Sequence, residues 1–116
     1  MMQILAFLAI FFGEGVVIYA EELGAKLYDV PAAEFLPTFA LTLIPIAIGL
    51  VLLVTGYMLG YRAFNNIWIV TVISFGSILL FEPLFNFFYI GEGPTLGAGI
   101  GFVLAILAIL AALFIK

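Results

Sequence analysis

The sequence LGAGIGFVLAILAILAALFI, residues 96–115, contains no charged side chain and no strongly polar one. A helix needs about 20 mostly apolar residues, at a rise of about 1.5 Å each, to cross the hydrocarbon core of a bilayer. This stretch meets that requirement along its whole length. It therefore predicts a membrane-spanning helix, with which the other segments of the chain can be compared.

Three further apolar segments of similar length precede it and are separated by short polar breaks. The four predicted spans cover residues 2–23, 35–59, 64–90 and 95–115. Continuous apolar runs of this length do not fit the short alternating strands of a membrane β-barrel. We therefore predict an all-α fold, in which residues 1–116 form a single transmembrane domain built as a four-helix bundle in the lipid bilayer.

The composition of the 116-residue chain excludes several classes of protein. Hydrophobic residues make up 67% of it and charged residues only 9%, whereas an average soluble chain carries about 25% charge. The chain has no Cys and no His, so we expect no disulfide, no metal site and no cofactor, and we see no nucleophile–base pair that would indicate an enzyme. With a net charge of −4 and three cations, nucleic-acid binding is not expected either.

The few cations predict the orientation of the spans in a cell membrane. The N-terminus, Arg62 and Lys116 fall on one side, while Lys26 falls on the other side in the acidic segment between the first two spans. Because cytoplasmic loops carry the excess of Lys and Arg, this count of two against one favours both termini in the cytoplasm. A difference of one charge is also compatible with insertion in both orientations.

Two carboxyl groups, those of Glu14 and Glu82, fall inside predicted spans. Glu21 and Glu22, at the end of the first span, are assigned to the polar segment that follows it. An acidic residue at the centre of a membrane helix costs about 2.5–3.5 kcal/mol on insertion scales. Because a low dielectric disfavours the ionised form, such a group can hold a proton and exchange it for a cation. Glu14 and Glu82 are therefore candidates for proton or substrate binding, together with Asn86, which lies one turn from Glu82 and could hydrogen-bond to it.

Structural interpretations of both residues stay open. If the first helix ends near Tyr19, Glu14 lies little more than one turn from water and its carboxyl group reaches the interface. Glu82 immediately precedes Pro83, whose ring leaves backbone carbonyl groups without helical partners. Glu82 could then belong to a structural break rather than to a proton site.

Small residues line one face of the fourth span and predict close helix packing. Gly97 and Gly101 form a GxxxG pair. Small residues about one turn apart continue the same stripe: Ala105, Ala108 and Ala112. Small residues let helix backbones approach closely in lipid. The stripe could form an interface with another chain or pack inside the bundle. A second stripe, of Gly49, Gly56 and Gly60, lies on the second span.

The stretch Ile73–Leu113 resembles the end of a repeat of the drug/metabolite transporter superfamily, of the EamA type. The matching residues are Glu82-Pro83, Gly91-Glu92, Thr95 and Gly101. The four spans together look like a small multidrug resistance protein, the single-repeat member of that superfamily. The resemblance implies that Glu14 binds protons and a cationic substrate in turn, and that two subunits pair through their fourth helices.

Two functions follow as hypotheses. The first is a small transporter subunit that couples protons to a small solute, such as a cation, and works as a homodimer or as one of two paired chains. The second is an accessory subunit without catalytic activity, in which the same bundle serves for packing in a larger membrane complex.

Overall fold

The computed structural model describes residues 1–115. Lys116, one of the three cations from which the orientation of the spans is predicted, lies outside them. The described residues form only helices and connecting turns, which confirms the predicted all-α class. Four helices are long and apolar enough to cross a membrane, as expected of a multi-pass membrane protein. The helices are α1 (Met2–Tyr28), α2 (Phe35–Phe64), α3 (Ile67–Phe85), a π-helix (Asn86–Ile90) and α4 (Leu96–Phe114).

The pair α1 and α2 forms the most extensive contact in the molecule, and glycines make it possible. A Cβ atom on Gly56 would lie 2.5 Å from Cγ1 of Ile10, and one on Gly49 would lie 2.5 Å from Cγ2 of Val17. Low residue numbers of α1 meet high ones of α2, so the two helices run antiparallel. The glycine stripe on the second span is thus the surface on which α1 packs.

The turn between α2 and α3 is built by two asparagines. Asn65 adopts the left-handed conformation, with φ of 55°, and its N–H donates to the carbonyl of Tyr61. Asn66 caps α3, since its side-chain oxygen accepts the N–H of Trp68 at 2.9 Å. Asparagine suits both positions because it tolerates positive φ and caps helices. The break that the sequence predicts near Gly60 therefore lies later in the chain, and Gly60 is buried inside α2.

The end of α3 is irregular because Pro83 interrupts the helix. The backbone N–H of Asn86 reaches the carbonyls of Glu82 and Pro83, and the chain continues as the π-helix. That turn closes at Gly91, whose φ of 87° suits glycine and whose N–H donates to the carbonyl of Asn86. The next helix begins after Thr95, whose hydroxyl accepts the N–H of Ala98.

Helix α4 lies at the edge of the assembly. Among the described elements it contacts α3 alone, and none of its residues is buried. The molecule is correspondingly flat, with extents of 50 × 34 × 18 Å. The fold is therefore a packed group of α1, α2 and α3 with a fourth helix attached to one side, which is more open than the predicted four-helix bundle.

Candidate functional site

Glu14 lies in the contact between α1 and α3, where Ser74 is its hydrogen-bond partner. The Ser74 hydroxyl donates to the Glu14 carboxylate, and the two side chains are 5% and 8% exposed respectively. Gly13 and Gly15, on either side of Glu14, let atoms of α2 and α3 come within about 3 Å of where their Cβ atoms would be. The carboxyl group is thus enclosed by closely packed helices.

Glu14 also lies close to the middle of its helix. It is roughly 18–21 Å from either end of α1 at a rise of 1.5 Å per residue, and half the hydrocarbon thickness of a bilayer is about 15 Å. Because α1 continues to Tyr28, an ending near Tyr19 is not observed. The structure therefore does not support the interpretation of Glu14 as an interfacial residue at a helix end.

An apolar layer separates Glu14 from the acidic end of the molecule. Ile18, one turn beyond Glu14 on the same face of α1, is only 2% exposed. The ring of Phe81 lies against Gly15, with its nearest atoms 2.9–3.1 Å from the position of a Cβ there. Phe11 supports this ring from α1, with 4.6 Å between the ring centroids. In this conformation the Glu14 carboxyl group is closed off from that end.

An open cavity of about 750 Å³ lies beyond this layer and is lined mainly by acidic residues. It is formed by the last turns of α1, the end of α3, the π-helix and the turn that follows. Its lining residues are Glu21, Glu22, Ala25, Lys26, Asp29, Glu82, Asn86, Ile90 and Glu92. Five carboxyl groups against one ammonium group give this cavity a negative potential, which attracts cations.

Glu82 faces Glu22 across the contact between α3 and α1. The two carboxyl groups lie within hydrogen-bonding reach of each other. Glu22 follows Glu14 by eight residues, and Glu82 follows Ser74 by the same number. Since α1 and α3 run in the same direction, the two polar pairs form two layers about 12 Å apart along the helices.

The sequence interpretation missed Glu22, which it assigned to the polar segment between the first two spans. Glu22 is in fact inside α1 and only 8% exposed. The signal was present as the spacing of eight residues, because positions i, i+4 and i+8 share one face of a helix. That spacing places Glu22 on the face of Glu14 and Ile18, which packs against α3.

Asn86 lines the acidic cavity but does not make the predicted hydrogen bond to Glu82. Within residues 1–115 its side chain makes no hydrogen bond to the Glu82 side chain; instead the backbone N–H of Asn86 reaches the Glu82 carbonyl. Asn86 also lines a more apolar cavity of about 600 Å³ between the π-helix and α4. The two cavities share Asn86, Ile90 and Glu92 as a common wall.

Lys26 is already engaged by the π-helix. Its Nζ donates to the carbonyl oxygen of Tyr89 at 3.1 Å and lies 4.3 Å from the centre of the Tyr89 ring. A cation over an aromatic face is held electrostatically. This contact ties the last turns of α1 to the end of the third span, at the rim of the acidic cavity.

The small-residue face of α4 meets no other described helix at its glycines. A Cβ atom on Gly97 or Gly101 would have nothing within 4 Å, and Ala108 and Ala112 are exposed. Ala105 alone in this stripe is partly covered. The interpretation of this stripe as packing inside the bundle therefore does not hold, and the stripe is open on the surface of the molecule.

Comparison with known proteins gives no match: no family model, no curated protein and no solved structure is similar to this chain. Among residues 1–115, no group of three or more Asp or Glu side chains is arranged to hold a metal ion. The chemistry of the site therefore follows from its own residues. Its components are a carboxyl group enclosed at mid-helix depth, an acidic cavity, and an apolar layer between them.

Proposed function

We propose that the chain is one subunit of a small proton-coupled membrane transporter that moves a small cationic solute. In this proposal the chain acts as a single repeat of the drug/metabolite transporter type. Glu14 is the group that holds a proton and a cation in turn, and a second subunit completes the transport path. The observation that carries the proposal is the enclosure of Glu14 near the middle of α1 with a single hydrogen-bond donor, Ser74.

The energetics of that carboxyl group favour a functional role. A charge at this depth is costly, and carboxyl groups persist there mainly in proton relays and ion pathways. A single neutral hydroxyl does not compensate a full negative charge, so the ionised form of Glu14 needs a positive partner. A proton and a cationic solute are alternatives for that position, and competition between them is the basis of coupled exchange.

The acidic cavity supports the cationic class of solute. Glu21 and Glu22 on α1, together with Glu82 and Glu92, surround its volume. A cleft with low-dielectric walls and one sign of charge raises the local concentration of the opposite charge. Cations would therefore gather at the end of the contact between α1 and α3 that leads towards Glu14.

The test is a proton-movement assay with the protein reconstituted in liposomes that contain a pH-sensitive dye. A gradient of each member of an alkylammonium series, from methylammonium to tetraethylammonium, is applied in turn. We expect the unaltered protein to move protons against at least one member and Glu14→Gln to lose that response at least tenfold. The matched control is Glu34→Gln, which removes an exposed carboxyl group that does not line the acidic cavity, and we expect it to retain most of the response.

Two results would contradict the proposal. One is proton movement in Glu14→Gln equal to that of the unaltered protein, which would remove the coupling role. The other is the absence of any response to the whole series in unaltered protein that is folded and inserted. Native mass spectrometry of both variants checks that assembly is unchanged, so that a loss of transport is not a loss of the complex.

The exposed face of α4 favours a second candidate function, that of an accessory subunit in a larger membrane complex. None of the α4 residues is buried by the rest of the chain, and the Gly97–Gly101 face has no neighbour. Gentle extraction from the native membrane and native mass spectrometry separate the two. A mass of two copies favours the transporter, whereas a fixed set of larger subunits, lost when Gly97 and Gly101 are replaced by Leu, favours the accessory role.

A further inference from the structure

The contact between α1 and α3 contains a second pair of polar residues besides Glu14 and Ser74. We propose that Glu22 and Glu82 form a proton-binding site of their own, in which the two carboxyl groups share one proton at the wall of the acidic cavity. Glu14 takes no part in this site, so the inference goes beyond the transport function proposed above and does not depend on it.

The position of Glu22 is the first observation behind this site. Glu22 is only 8% exposed and lines the acidic cavity, so the part of its side chain that stays accessible faces that open cavity. Within residues 1–115 no N–H or O–H group donates a hydrogen bond to it. The charge of a carboxylate in that position is therefore not compensated by any described donor, and only the open cavity gives it access to water.

The identity of its neighbour is the second observation. The polar group within hydrogen-bonding reach of Glu22 is the carboxyl group of Glu82. Two ionised carboxylates repel each other at that separation. When the pair holds one proton, the protonated carboxyl group donates a hydrogen bond that the carboxylate accepts. Paired carboxyl groups that share a site take up a proton for this reason.

The surrounding charges favour the uptake of a positive charge rather than a salt bridge. From α1 the pair is faced by Glu21, and from the turns at either side by Asp29 and Glu92. The one cation lining the cavity, Lys26, donates to the carbonyl of Tyr89 and lies over its ring. The pair therefore sits among negative groups, and the nearby ammonium group is already bonded elsewhere.

A proton suits the pair better than a metal ion. Calcium takes six to eight oxygen ligands and magnesium requires a near-octahedral set. The described residues present no group of three or more carboxylates arranged around a common point. Two facing carboxyl groups are sufficient for one proton, which needs only a donor oxygen and an acceptor oxygen.

Infrared spectroscopy tests the site directly, because a protonated carboxyl group gives a C=O stretch that is well separated from that of the carboxylate. The full-length Glu14→Gln protein in liposomes is the starting material, so that Glu14 itself makes no contribution to the band. We expect a protonated-carboxyl band at neutral pH that shifts in D₂O. The band should be lost in Glu22→Gln and also in Glu82→Gln, because the remaining carboxyl group then ionises beside an amide donor.

Two further variants make the result specific. Glu21→Gln removes a neighbouring carboxyl group outside the pair and should retain the band, while Glu82→Asp keeps the pair and should shift the band without removing it. Absence of the band in the Glu14→Gln protein, or its survival after either Glu22→Gln or Glu82→Gln is added, would overturn the site. Circular dichroism confirms that each variant is folded, and because Glu14 is absent throughout, the outcome is separate from the success or failure of the transport assay.

Discussion

The glycine contact between α1 and α2 gives a stability prediction that can be worked out atom by atom. A methyl group on Gly56 would lie 2.5 Å from Cγ1 of Ile10, 2.9 Å from its backbone nitrogen and 3.2 Å from Cβ of Ala9. The backbone nitrogen cannot rotate away as a side chain can. Gly56→Ala therefore forces α1 and α2 apart along their contact.

The magnitude follows from two opposing effects. Overpacking a closely fitted contact costs about 1–3 kcal/mol, and replacing glycine by alanine inside a helix returns about 0.5–1 kcal/mol. The difference between these two effects is a net loss of up to about 2.5 kcal/mol in the free energy of unfolding for Gly56→Ala. In Gly76→Ala only the gain in helix propensity applies, because a Cβ at Gly76 has nothing within 4 Å. That variant should therefore gain stability.

The assay is reversible unfolding in mixed detergent micelles, followed by circular dichroism and by the fluorescence of Trp68, the one tryptophan of the chain. Comparing two glycine-to-alanine changes removes the common effect of the added methyl group on helix propensity. Equal stability of Gly56→Ala and Gly76→Ala, or a more stable Gly56→Ala, would refute the close approach of α1 and α2 at this point.

Two further changes test single hydrogen bonds by the same unfolding assay. Ser74→Ala removes the donor to Glu14 and should lower the free energy of unfolding by about 1–3 kcal/mol. The Ser77 hydroxyl donates to a carbonyl of its own helix, so Ser77→Ala should lower it clearly less. Equal losses in the two variants would contradict the role of Ser74. Asn66→Ala removes the cap on the Trp68 N–H and should cost about 0.5–2 kcal/mol. Asn66→Asp should keep most of that stability, because a carboxylate oxygen can also accept the Trp68 N–H. Equal stability of Asn66→Ala and Asn66→Asp would argue against the cap.

Local properties of the chain were accessible from its sequence. The apolar stretches, each followed by polar residues, predicted four membrane helices, because length and composition alone decide whether a segment can cross a bilayer. The stripe of Gly49, Gly56 and Gly60 was also visible as a pattern of small residues one or two turns apart. Its use as the packing surface for α1 was not, because no local signal says which helix will cover it.

The positions of the helix ends and the pairing of polar side chains are determined by features that are less obvious in the sequence. Gly60 looked like a break, but the chain turns at Asn65, where an asparagine in the left-handed conformation and a following cap end one helix and start the next. The pairing of Glu22 with Glu82 depends on how α1 and α3 align in space. Alignment of two helices 60 residues apart in the chain is a property of tertiary packing, which the pattern within either helix does not specify.

The separation of Glu14 from Ser74 has a consequence for the biosynthesis of the protein. The two residues are 60 positions apart in the chain, and ribosomes add roughly 5–20 residues per second, so α1 leaves the ribosome about 3–12 s before its partner. During that interval the Glu14 carboxyl group has no Ser74 hydroxyl to accept from. The hydrogen bond that joins α1 to α3 therefore forms only after the third helix has been made.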